Sequence, residues 1–177
     1  MNLTETPLSS EPILDGGFIR ITRDQIRLPN GKETQRVVVR HPGAACILAV
    51  TPDEQVIFVR QWRYATNQAL LELPAGKLDA GEDPAVCALR ELAEETPYCA
   101  ERVELLATFF TAPGFCDEKM YLYQAHGVSA NSQLQPDQDE FVETVLLSRA
   151  EVQQAIQNNT IQDGKTLIGL QYWLLNT

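Results

Sequence analysis

Between Gly76 and Tyr98 the chain reads GKLDAGEDPAVCALRELAEETPY, and this stretch constrains the fold more than any other. Asp83 stands where a helix wants its N-cap, and Pro84 follows at the first helical position, where a missing N–H costs no hydrogen bond. The spacing predicts a helix from Pro84 to Glu95. At about 100° per residue, Ala85, Val86, Leu89, Leu92 and Ala93 share one sector, a candidate core stripe. Glu91, Glu94 and Glu95 converge on the opposite side, flanked by Arg90. Like charges three and four residues apart cost roughly 0.2–0.5 kcal/mol per pair unless something neutralises them. Either the trio is a solvated face, or it holds a hard divalent cation, which takes oxygen ligands.

Strand patterns surround this helix. GFIRITRDQIRL and TQRVVVRH flank an Asn30-Gly31 turn, so residues 17–41 read as a β-hairpin. AACILAVT and QVIFVRQW form a second, more apolar pair across Pro52-Asp53-Glu54, and LLEL is a short strand ended by Pro74-Ala75-Gly76. VELLATFF and KMYLYQAHGV bracket the turn Ala112-Pro113-Gly114-Phe115, and FVETVLLS follows the polar loop SANSQLQPDQDE. Ser148 and Glu151 form a capping-box pair before EVQQAIQNN, and Asp163 can cap a last helix through GKTLIGLQYWLLN. Strands outnumber interspersed helices. The fold class is α/β, a mixed sheet with helices on both faces.

The 177 residues suffice for one domain with a proper core. The net charge of −10 argues against nucleic acid or an anionic membrane as partner, because phosphate contacts need clustered Lys and Arg. A small anionic substrate stays possible if a bound cation reverses the local charge. Cys46, Cys87, Cys99 and Cys116 fit no zinc spacing and read as reduced thiols. No apolar run approaches the roughly 20 residues of a membrane span, and the N-terminus has no signal-peptide core, so the expected location is cytoplasmic.

Gly76, five residues, Glu82, seven residues, then Arg90-Glu91-Leu92-x-Glu94-Glu95 resembles the signature of the Nudix hydrolases. The six fixed residues, Leu92 being only an apolar position, arise together by chance in a chain of this length at on the order of 10⁻⁵. The resemblance runs from about Gly17 to the last helix. It implies a Nudix-type α/β/α sandwich with a mixed β-sheet and an N-terminal β-hairpin segment, and Mg²⁺- or Mn²⁺-dependent hydrolysis of a nucleoside-linked diphosphate. Carried over by position, Glu91, Glu95 and the main-chain carbonyl of Ala75 are metal ligands, and Glu94 belongs to the catalytic cluster. Gly76, Glu82 and Arg90 support them. Pro97 departs from the family's usual glycine. Proline cannot adopt the positive φ of a glycine C-cap, so Thr96 should leave helical geometry and the helix must end differently.

Pro113, sixteen residues beyond that position, together with RHPGAACILAV, VRQWRY and LLELPAGK, resembles the ADP-ribose pyrophosphatase subgroup. This implies cleavage of ADP-ribose to AMP and ribose 5-phosphate, with GDP-mannose-type nucleotide sugars as the alternative substrate and a silent ADP-ribose-binding module as a rival of another class. Arg36, Arg63, Phe18, Pro113, Gly114 and Glu118 match substrate-binding positions. The catalytic base falls in the 137–140 loop: Glu140 first, with Asp139 and Asp137 open. Residues 1–177 read as one hydrolase domain whose polar start is a flexible tail (1–16), and the subgroup implies a dimerising β-segment (17–41) beside a catalytic core (42–177). A homodimer follows.

Overall fold

The computed structural model describes residues 1–134 and 141–176. Their contacts divide the chain into two units, Met1–Gly43 with Phe110–Lys119, and Ala44–Phe109 with Met120–Thr177.

In the first unit β1 (Thr6–Asp15), β2 (Arg20–Arg27) and β3 (Glu33–Arg40) form an antiparallel sheet in that order. The β2–β3 hairpin is the expected one, and Gly31 takes φ 84° in its turn. The loose tail expected over residues 1–16 is instead largely strand. Every residue of β1 is exposed, so no apolar alternation marks it in the sequence, and its backbone ladder with β2 supplies the order. The register slips between Pro7 and Ser9 and between Pro12 and Leu14. A proline without an N–H is tolerated at such bulges on an edge strand.

The second unit runs through β4 (Ala44–Leu48), β5 (Val56–Arg63), β6 (Gln68–Glu72), β7 (Ala75–Lys77), α1 (Pro84–Glu95), β8 (Arg102–Phe110), β9 (Lys119–His126), β10 (Val142–Leu147), α2 (Arg149–Gln157) and α3 (Gly164–Asn176). The order β7-β4-β9-β8 makes a mixed sheet, with β4 parallel to β9 and antiparallel to β7. A second sheet, β10-β5-β6, is antiparallel. β4 is buried along its whole length because its alternate side chains enter two cores. Ala44, Cys46 and Leu48 join Val152, Ala155, Leu170 and Trp173 of α2 and α3. Ala45 and Ile47 join Cys87, Ala88 and Leu92 of α1. Helices therefore cover both faces, as the α/β reading requires. Fully burying a side chain such as Ile47 or Leu48 contributes about 1.5–3 kcal/mol.

The helix ends follow the sequence. The Asp83 carboxylate accepts from Ala85 N at 2.8 Å, Ser148 and Glu151 complete a capping box, and Asp163 Oδ2 accepts from Thr166 N at 3.0 Å. Pro97 shapes the exit of α1 as expected: Thr96 is extended, at φ −139° and ψ 161°. Its hydroxyl donates to Leu92 O at 2.5 Å and accepts from Tyr98 N at 3.1 Å, doing the work of a glycine cap. Cys46 and Cys87 are free and buried, and burial pushes both thiols up to about 12. Among the described residues no helix is long and apolar enough to cross a membrane.

Candidate functional site

The buried face of α1 shares Leu92 and Ala93 with the apolar stripe but extends past it to the carboxylates. Val86 is 56% exposed, whereas Glu91 and Glu95 are only 7% and 5% exposed, on the side shared with Cys87 and Ala88. The carboxylates do not lie opposite the core; they form the rim of the face that packs on the sheet. Small side chains at 87 and 88 let the helix approach closely, and a count of apolar residues alone does not register that face.

β7 lies against this face. Ala75 N donates to Glu95 Oε2 at 3.1 Å. A Cβ at Gly76 would stand 1.9 Å from Glu91 Oε1, so only glycine leaves that carboxylate its place. Arg90 offsets the repulsion within the acidic trio. Its Nη1 donates to Glu91 Oε1 at 2.8 Å and to Glu94 Oε2 at 2.9 Å, while Nε and Nη2 grip Glu82 at 2.9 and 3.0 Å. Glu82 also accepts from Asp79 N, tying the loop before α1 to the helix. The hydrogen bonds from Arg90 hold the Glu82 carboxyl at about 2, well below the ordinary 4.5.

Among the described residues no three His, Cys, Asp or Glu side chains are drawn together at metal-ligand spacing. The donor chemistry nonetheless fits a hard divalent cation. Glu91, Glu94 and Glu95 offer carboxylate oxygens from successive turns of one helix, two of them buried, beside the main chain of Ala75 and a glycine that keeps the space open.

Arg63 lies in the same unit, and its Nε and Nη2 donate to Glu72 Oε1 and Oε2 at 2.7 and 2.8 Å. Glu72, 2% exposed, also meets Lys165, whose ammonium contacts Asp163 at 3.0 Å. Burial opposes ionisation of Glu72, but the hydrogen bonds from Arg63 and the Lys165 charge outweigh it and hold the carboxyl at about 2. The sequence reading missed Glu72 and Lys165, although a glutamate inside the apolar run LLELP was a visible signal.

The remaining expected residues belong to the first unit. Arg36 donates to Glu5 at 2.6 Å and lines a cleft of about 410 Å³ together with Pro113, Gly114, Phe115 and Arg40. Phe18, 57% exposed, presents its ring edge-on to His41 at 5.7 Å. Glu118 stands 3.7 Å from His41 Nε2 and accepts a hydrogen bond from the Thr111 hydroxyl. His41 thus joins two expected substrate positions, and sequence reasoning did not single it out. Glu140, Asp139 and Asp137 lie outside the described residues.

Comparison with known proteins adds the following. The NUDIX domain model matches residues 39–167, and the model of the nucleoside diphosphate sugar hydrolase N-terminal domain matches residues 5–39. A Bacillus methanolicus protein named methanol dehydrogenase activator is 43% identical over 95% of this chain and 91% of its own. A Bacillus subtilis (strain 168) protein named ADP-ribose pyrophosphatase is 37% identical over 97% of this chain and 93% of its own. A crystal structure of an ADP compounds hydrolase superposes with a TM-score of 0.81 at 22% identity, covering 98% of this chain and 96% of its own, which shows the shared fold.

Proposed function

We propose, for a chain that belongs to the NUDIX hydrolase family, the Mg²⁺-dependent cleavage of ADP-ribose to AMP and ribose 5-phosphate, with Mn²⁺ able to substitute. The observation that carries the reading is the pair of buried carboxylates, Glu91 and Glu95, seated against Ala75 and Gly76. The ADP-ribose assignment draws support from the Bacillus subtilis relative, similar over nearly the whole chain.

In this reading Glu91, Glu95 and the Ala75 carbonyl hold the cation, with Glu94 beside them. The bound cation neutralises diphosphate charge and lowers the pKa of water. Arg90 and Glu82 orient the ligand helix and its loop. Arg63 and Arg36 meet phosphate oxygens, for which a planar guanidinium is suited. Phe18 stacks on adenine, Pro113 and Gly114 shape the substrate cleft, and Glu118 meets the terminal ribose. Glu140 first, or Asp139 or Asp137 of the same loop, accepts the proton of the attacking water. Water oxygen bonds to one phosphorus, the bridging P–O bond breaks, and the bridging oxygen leaves with the other phosphate. We read residues 1–177 as one hydrolase domain acting in the cytoplasm as a homodimer, with 17–41 in the interface and 42–177 as the catalytic core.

More distant relatives named GDP-mannose pyrophosphatase favour a second substrate reading. The name of the Bacillus methanolicus relative favours a regulatory role as another. Hydrolysis of ADP-ribose, ADP-glucose and GDP-mannose at equal concentration with Mg²⁺ separates them. ADP-ribose should have the highest kcat/KM. A preference for GDP-mannose overturns the substrate, and ADP-ribose binding without AMP release overturns the reaction.

A further inference from the structure

Four charged side chains meet where β5, β6 and the start of α3 come together. Glu72 is buried between Arg63 and Lys165, and Lys165, 10% exposed, is held in turn by Asp163. Asp163 Oδ2 accepts from the Thr166 hydroxyl at 2.6 Å, and that hydroxyl accepts from Leu73 N at 2.8 Å, across 93 residues of sequence. The next residues continue the chain of contacts: Pro74 O accepts from Ile47 N at 3.0 Å, Ala75 N meets Glu95, and Gly76 lies against Glu91. The start of α3 therefore fixes Glu72 and Leu73, at the head of the segment that continues to Ala75 and Gly76.

A buried salt bridge is weak evidence for stability, since apolar residues of similar volume often serve as well. Geometry explains it better here. The Arg63 side chain is 40% exposed and on its own could swing into water. Glu72 binds it through Nε and Nη2, which leaves the two N–H donors of Nη1 on the far edge of the fork. Lys165 occupies Glu72 Oε2 as well, so the carboxylate cannot rotate to follow a moving guanidinium.

We propose that Lys165, with Asp163 behind it, is a positioning residue for the hydrolysis: it pins Glu72, and Glu72 aims the Arg63 guanidinium at the diphosphate. The proposal rests on the reading of Arg63 as a phosphate contact.

The test uses the full chain as Lys165→Met, Lys165→Arg, Arg63→Ala and the Arg63→Ala/Lys165→Met double variant, with ADP-ribose as substrate and Mn²⁺ affinity followed by electron paramagnetic resonance. Lys165→Met should raise KM about tenfold or more, with kcat changed less than about threefold and Mn²⁺ affinity unchanged. Lys165→Arg should restore KM to within about threefold of wild type. In the Arg63→Ala background Lys165→Met should add no more than about twofold, because nothing remains to be aimed. An unchanged KM in Lys165→Met, or the same rise with and without Arg63, overturns the proposal. If Arg63→Ala itself leaves KM unchanged, the phosphate-contact reading fails instead. Should Lys165→Met not fold, Asp163→Asn carries the same comparison, since it removes the charge that holds Lys165 while keeping an acceptor for Thr166.

Discussion

Glu95 looks like a surface ligand in the sequence and is 5% exposed in the structure, accepting from Ala75 N. Glutamine keeps one carbonyl oxygen for that hydrogen bond but removes the charge. Glu95→Gln should therefore fold, with hydrolysis reduced by about 10²-fold or more; near-normal turnover in a steady-state assay would remove Glu95 from the metal site. Gly76→Ala should behave similarly for a steric reason. Its Cβ would displace the Glu91 carboxylate, the movable end of a side chain, and leave the backbone intact. Titration provides another residue-scale test. Glu72 and Glu82 are both held at about 2 against an ordinary 4.5, so each favours the folded state above pH 4.5 and loses that contribution as pH falls toward 2. Urea unfolding across that window should show stability declining with acid, with a shallower decline in Glu82→Gln. The carboxylates proposed as ligands could be picked out from spacing. His41, Glu72 and Lys165 could not, because their partners are far away in sequence.

At the scale of the element, α1 was legible in its boundaries and misleading in its orientation. Caps are local chemistry, so Asp83, Pro84 and the Thr96-Pro97 exit could be anticipated. The carboxylate side of the buried face could not, because hydrophobic periodicity counts Glu91 and Glu95 as solvent-facing while β7 covers them. Two residues of the apolar stripe fall on opposite sides of the buried boundary. Leu92→Ala should cost about 2–5 kcal/mol, while Val86→Ala should cost about 0.5 kcal/mol or less, measured by chemical denaturation. β1 escaped sequence reading for the opposite reason: a strand exposed along its whole length carries no pattern to find.

At the scale of the whole molecule, the strands other than β1 and the short β7 were readable and their order was not. The pairing of β4 with β9 joins segments more than seventy residues apart, and no local pattern encodes which strands become neighbours. Val37 leaves apolar surface exposed within residues 17–41, and Leu8, Ile13 and Leu14 of the paired β1 add to it, which supports the homodimer proposed through 17–41. Light scattering at micromolar concentration should give twice the chain mass, and the mass of a single chain would contradict it.

β4 belongs to two cores at once, and that carries a consequence for unfolding. Neither hydrophobic cluster can surrender the strand without opening the other, so the two cannot melt in turn. Heat should dissolve this sandwich in one cooperative step, with the calorimetric enthalpy matching the van't Hoff value. Two resolved thermal transitions within residues 44–109 and 120–176 would mean that the shared strand does not couple them.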